Sequence, residues 1–292
     1  MKRRDFIEHV GWTGAGIAWT LTAAGSLTAA ADAAGSGLTF VQISDSHIGF
    51  TRPENPDVTG TLRKTVQAIN SRAVQPAFVV HTGDITHLSK PGQFDTAKAV
   101  LSELRAPVLY LPGEHDVIGS PAEYFKFFSR GDAKDGWFSF DQGGAHFISL
   151  VNVFNFERMG LMGQAQIDWL AKDLAAQKQS TPIVVFAHVP LYALYPQWGW
   201  TTEDGSKALA LLRRFDRVTV LSGHIHQIIE HTEGNIRFAT ANSTAYPQPK
   251  PGAAAKPGPL MVPPNQLLGV IGYRTVQLDD HGGSALSDSS LG

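Results

Sequence analysis

Five short clusters hold the side chains that could do chemistry: Asp45-Ser46-His47, Gly83-Asp84, Gly113-Glu114-His115-Asp116, His188 and Gly223-His224-Ile225-His226. Each closes an apolar run that reads as a strand. Carboxylate and imidazole ligands in this mixture suit Mn, Fe or Zn. The chain has eleven histidines and no cysteine. Disulfides, thiolate metal sites and a cysteine nucleophile are therefore excluded. Asp-x-His or His-x-His alone is a weak signal, since a lone Asp-x-His is more often a hydrogen-bonded surface pair and a lone His-x-His can be a solvated strand. An ordered set, repeated at strand ends, is a strong one.

The spacing says how the ligands would be grouped. Residues two apart on a strand face the same way, so Asp45 with His47 and His224 with His226 are each expected to form half of a metal site. The neighbouring glycines let the backbone turn sharply and come close to an ion. In open α/β sheets ligands gather outside the carboxyl ends of the strands, so the clusters are expected to converge.

The elements that must position them alternate. Strands are expected at 38–43, 77–81, 107–111, 182–187 and 218–221, with a hairpin over 137–151 turning at Gly143-Gly144. Helices are expected at 61–74, 94–104, 163–177 and 206–215, and shorter strands at 227–231, 236–240 and 269–278. This alternation implies an α/β layered architecture. Residues 247–264, rich in Pro, Ala and Gly, can form neither helix nor central strand. A lid and an arm onto a second copy, making a homo-oligomer, both stay open for this loop. The domain is expected over 38–280, with a disordered tail at 281–292.

Among 292 residues, 43% are hydrophobic and 17% charged, enough for a sizeable core, and the formal net charge is −2. No basic face stands out, so nucleic-acid binding is not expected. Residues 1–33 begin Lys2-Arg3-Arg4-Asp5-Phe6-Ile7 and continue into a Gly-, Ala- and Thr-rich uncharged stretch with Ala-x-Ala sites at 29–31 and 31–33. They resemble a bacterial twin-arginine signal peptide. That implies the twin-arginine export machinery as a partner, a periplasmic or secreted protein, and no membrane anchor after cleavage. An uncleaved anchor is the other reading.

From Thr39 to Thr240 the ordered clusters resemble the calcineurin-like metallophosphoesterase superfamily. Its pattern is Asp-x-His, Gly-Asp, Gly-Asn-His-Asp/Glu, His, Gly-His-x-His, and the spacing is most similar to that of bacterial cyclic-nucleotide and glycerophosphodiester phosphodiesterases. The resemblance implies a two-sheet β-sandwich flanked by helices and two transition-metal ions. Asp45, His47 and His226 would hold the first ion. Asp84 would bridge. Glu114, His188 and His224 would hold the second. His115 would protonate the leaving alkoxide or hold the phosphate, with Asp116 orienting it. Two ions can clamp the attacking and leaving oxygens and bring water from a pKa of about 15.7 to near 7. The substrate would be a small phosphoester, a diester ahead of a monoester.

Glu114 departs from the superfamily's Asn. An amide can donate to phosphate, whereas an ionised glutamate only accepts. The added charge could favour a more highly charged ion at the second position. It could instead repel phosphate, leaving a weakly active enzyme, one with a different substrate, or a non-hydrolytic metal-binding protein. His87 could line the cleft or lie on the surface, and His146 reads as structural. Tyr192, Tyr195, Trp198 and Trp200 could wall a substrate or pack a core.

Overall fold

A computed structural model describes residues 18–21, 26–30, 37–128, 135–153, 159–279 and 282–292. Thirteen strands form two mixed sheets. The smaller holds β3 (Thr39–Ile43), β4 (Val79–His81), β5 (Val108–Tyr110), β12 (Gly272–Leu278) and β13 (Ser284–Ser290), in the order β13-β12-β3-β4-β5. The larger runs β1-β2-β6-β7-β8-β9-β11-β10. Its strands are β1 (Ala18–Leu21), β2 (Ser26–Ala30), β6 (Phe138–Gln142), β7 (Ala145–Ser149), β8 (Ile183–Ala187), β9 (Val218–Ser222), β10 (Glu230–Glu233) and β11 (Ile236–Thr240). Apart from β1 and β2, the expected signal segment lies outside the described residues. No helix among them is long and apolar enough to cross a membrane.

The two sheets face each other across an aromatic core. Phe40, Phe78, Phe140, Phe147 and Phe186 are fully buried there, with Phe40 stacked on Phe78 and Phe140 on Phe147 at 4.8 Å. Helices cover both outer faces. On the smaller sheet α1 (Val58–Asn70), α2 (Pro91–Leu101) and α3 (Ala122–Phe128) bury Leu62, Val66, Ile69, Phe94 and Tyr124. On the larger, α4 (Gln164–Ala175) and α5 (Gly205–Leu212) bury Ile167, Leu170, Leu174, Leu209 and Leu212. The one-turn helix α6 (Leu267–Val270) precedes β12. The α/β sandwich thus has helix, sheet, sheet and helix layers.

Local signals explain the boundaries. Asp57 caps α1 by accepting the Gly60 N–H at 2.8 Å. Pro91 opens α2, where an amide hydrogen would have no partner. Gly143 and Gly144 both hold positive φ in the two-residue turn between β6 and β7, as that hairpin turn requires.

The tail differs from the expectation of disorder. Residues 284–290 form β13, antiparallel to β12, with Arg274 directly opposite Asp288. The fully buried Arg274 donates Nε and Nη2 to the two Asp288 oxygens at 2.9 and 2.8 Å. This paired fork offsets the weak strand propensity of Ser-Ala-Leu-Ser-Asp-Ser-Ser. Residues 247–263 run without helix or strand.

Candidate metal centre

The five polar clusters converge because their strands point the same way. β3, β4 and β5 are mutually parallel, as are β8 and β9. Asp45 and His47 follow β3, Asp84 follows β4, Glu114 follows β5, His188 follows β8, and His224 and His226 follow β9. All seven are buried. They fall into two groups with metal-ligand spacing, Asp45/His47/His226 and Asp84/Glu114/His188/His224.

Strand alternation does not produce this grouping. Asp45, His47, Asp84, His224 and His226 all lie beyond their strands with φ between 43° and 69°. Non-glycine residues take that conformation at a cost of order 1–3 kcal/mol each, and they cluster where geometry matters for function. Strand periodicity alone would face His224 and His226 the same way; the turn instead sends them to different groups, the division that the resemblance implies. His226 Nε2 lies 3.4 Å from Asp45 Oδ1 and 3.2 Å from His47 Nε2. His224 Nδ1 lies 2.8 Å from Glu114 Oε1.

Asp84 sits between the groups. Its Oδ2 is 3.6 Å from His47 Nε2 and 3.5 Å from His188 Nε2, while Oδ1 accepts the His115 N–H at 2.9 Å. Gly113 makes room for this. A Cβ there would overlap Asp84 Oδ1 and the Asp84 backbone nitrogen.

The histidines are set for ligation. His188 Nδ1 faces Thr82 O at 2.7 Å, and His226 Nδ1 faces Tyr246 O at 2.6 Å. A carbonyl only accepts, so each Nδ1 carries a proton and Nε2 is the atom that faces the cluster. Burial, with the charges of His115, His226 and His87, holds His47 well below the ordinary imidazole value. Burial lowers His188, but Asp84 and Glu114 outweigh it and carry it well above normal. Those carboxylates demand positive charge at a point where a cation would meet the need. Burial raises Asp45 and Glu114, yet His226 and His188 hold Asp45 below its usual value, and His224 and His188 hold Glu114 well below.

A metal pair passes the test of fit. Glu114 Oε2, His188 Nε2 and both ring nitrogens of His224 are buried without a hydrogen bond. Orphaned buried polar atoms are costly, and here they point into one space. Glu114 Oε2 and His188 Nε2 approach to 2.9 Å without hydrogen-bond geometry, the relation of two ligands to a common centre.

Other candidate residues divide. His115 is half-buried beside His47, with ring centroids 4.8 Å apart. Burial lowers it, but Asp84 and Glu114 outweigh this and raise it. Asp116, expected to orient His115, turns its carboxylate to backbone amides and Thr86. Fully buried at the end of the 3-10 turn Glu114–Asp116, it accepts from Ile85 N (3.0 Å), Thr86 N (2.7 Å), Thr86 Oγ1 (2.9 Å) and Gly113 N (3.0 Å). It latches the Asp84 loop to the Glu114 loop, and burial with the Asp84 charge raises it to about 7. The acceptor for His115 Nδ1 is His87 O at 2.8 Å.

Tyr195, Trp198 and Trp200 pack with Ile225, between the two histidines of that turn. Tyr192 packs on Phe238 and His231. These contacts are packing, with Tyr192 and Tyr195 left half-exposed. His146 is structural, between Asp141 and Asp173. His281 lies outside the described residues. Sequence reasoning missed Tyr246, whose ring lies 5.0 Å from His47 and 4.7 Å from His226. No motif marks a tyrosine so far along the chain. The Pro-rich segment following it is tied down: Gln227 donates to Gln248 O and Pro249 O, and Gln248 to His224 O.

Fold and site together define a metal-dependent phosphoesterase. The calcineurin-like phosphoesterase pattern matches residues 38–228, and the chain belongs to that family. It is 26% identical over 237 residues to a glycerophosphodiester phosphodiesterase of Enterobacter lignolyticus, covering 77% of this chain and 84% of that one. It is 25% identical over 217 residues to a probable cyclic nucleotide phosphodiesterase of Rhodococcus erythropolis, covering 71% of each. A dimetal phosphatase from Danio rerio shares the fold, with a TM-score of 0.64 and 14% identity over 88% of this chain and 98% of that one.

Proposed function

We propose that this chain is an exported two-metal phosphodiesterase. The placement of Glu114 between His188 and His224 carries the diester preference. An ionised glutamate there lowers the site's charge by one relative to an amide. A phosphodiester carries one negative charge and a monoester up to two, so the added carboxylate disfavours the monoester more. Its turn toward the two imidazoles argues for a ligand and against a block to phosphate. The names of the bacterial relatives support a diester substrate.

Asp45, His47 and His226 would hold one ion, Glu114, His188 and His224 the other, with Asp84 between them. When bound, manganese, iron or zinc ions supply Lewis acidity to phosphoryl oxygens and acidify water toward neutral pH. The chain's own share of the reaction centres on His115. Its Nδ1–H is fixed on the His87 carbonyl, its ring stands at the ligand cluster, and its raised proton affinity suits delivery of a proton to a leaving alkoxide. Export is supported by the twin-arginine pattern at Arg3-Arg4.

The test compares bis-p-nitrophenyl phosphate with p-nitrophenyl phosphate, using Mn²⁺-reconstituted and chelator-stripped protein. Metal-dependent turnover favouring the diester is expected, with Glu114→Asn shifting the ratio toward the monoester. Monoester preference in the unsubstituted protein would refute the diester reading. Metal loading without turnover on either would refute hydrolysis.

A further inference from the structure

His47 differs from His188 and His226 in what stands behind it. His188 and His226 turn Nδ1 to backbone carbonyls. Behind His47 Nδ1 stands another imidazole, His87 Nδ1, at 3.3 Å. A carbonyl can only accept, whereas an imidazole nitrogen can do either. His47 Nε2 faces His226 Nε2 at 3.2 Å and Asp84 Oδ2 at 3.6 Å, so its lone pair belongs to the ligand cluster. A His47 that ligates through Nε2 carries its proton on Nδ1, and His87 Nδ1 accepts it. The proton of His87 is left on Nε2.

The same residue reaches His115 twice. Its carbonyl takes the His115 Nδ1–H at 2.8 Å, and its ring stacks on the His115 ring at 4.9 Å and 15°. Phe50 holds the His87 ring from the edge at 5.2 Å and itself packs on Tyr246 at 4.4 Å. One half-buried side chain therefore touches both a ligand of the first ion and the residue placed to move a proton.

We propose that His87 is a positioning residue linking the two: its ring fixes the tautomer and tilt of His47 as a metal ligand and backs His115 against the cleft. This rests on the two-metal reading above. Outer partners of ligand histidines typically govern metal affinity by about 10–100-fold. Removing the ring leaves His47 Nδ1–H without its acceptor and His115 without its stack, while the His87 carbonyl remains.

The experiment titrates Mn²⁺ into the purified protein and its His87→Ala, His87→Asn and His47→Ala variants, following free Mn²⁺ by electron paramagnetic resonance. It also measures kcat on diesters with p-nitrophenolate and alkyl leaving groups. His87→Ala should weaken one of two ions about 10–100-fold. His87→Asn, whose amide oxygen can accept from His47, should recover most of that loss. In His87→Ala, kcat should fall more for the alkyl leaving group, which needs the proton, than for p-nitrophenolate. If His47→Ala weakens an ion and His87→Ala does not, the inference is overturned and the two-metal reading survives. If His47→Ala changes nothing, the two-metal reading fails and the inference with it. A third ion bound by the unsubstituted protein and lost in His87→Ala would also overturn it, because His87 would then be a ligand.

Discussion

Glu114 Oε2 stands 2.9 Å from His188 Nε2, with both atoms buried and neither hydrogen-bonded. Two groups so placed either share a proton as an ion pair or share a cation, and a bound cation would take the place of that proton. Glu114→Ala should weaken the second ion by more than the roughly 10–100-fold typical of outer partners. The first ion should be spared, because Asp45, His47 and His226 form a separate group. Metal stoichiometry at limiting Mn²⁺ checks this. Equal weakening at both positions would count against the assignment.

Asp116 should behave as a latch. Its carboxylate accepts four hydrogen bonds from the Asp84 and Glu114 loops in a fully buried setting. Asp116→Ala should destabilise the fold by about 3 kcal/mol or more, because buried N–H groups lose their acceptor. Urea unfolding measures it. A variant of normal stability that had lost only kcat would restore the role of orienting His115.

His146 supplies a pH dependence remote from the metal ligands. Burial lowers this imidazole, but its bonds to Asp141 and Asp173 outweigh that and raise it to about 9. A histidine raised on folding contributes stability that is full below about pH 6.5 and lost as pH rises through about 9. The loss is at most about 3 kcal/mol, and the half-exposed Asp141 reduces it through solvent screening. His146→Gln should be less stable at pH 6 and should converge on the parent above pH 9. A constant difference across that range would show that His146 is held neutral.

Metal removal should lower thermal stability. An ion at about 100 times its dissociation constant stabilises by about 2.7 kcal/mol, and 1 kcal/mol moves Tm by about 2–4 °C in a domain of this size. Chelation should therefore lower Tm by roughly 5–10 °C, and added Mn²⁺ should restore it. Scanning calorimetry with and without chelator checks this. An unchanged Tm would mean that the ligand cluster is not loaded under those conditions.

Much of the site could be read from the chain because its logic is one-dimensional. Parallel strands bring their carboxyl ends to one edge, so Asp45, Asp84, Glu114, His188 and His224 had to meet if the strands were identified correctly. Their chemistry as hard and borderline ligands is a property of residue type, and so is the exclusion of thiolate chemistry in a chain without cysteine.

Tertiary structure decided what depends on backbone angle and on distant partners. The separation of His224 from His226 follows from two left-handed residues in one turn, which strand periodicity cannot express. The hydrogen bonds of Asp116 come from amides some thirty residues away, and the lowered proton affinity of His47 from burial among His115, His226 and His87. The Tyr246 carbonyl reached His226 because the Pro-rich segment returns to the cleft, and β13 formed because Arg274 found Asp288 across the sheet. The types and order of the ligands are written along the chain. Which atom carries a proton and what holds each imidazole arise from contacts that exist only once the two sheets have closed on their aromatic core.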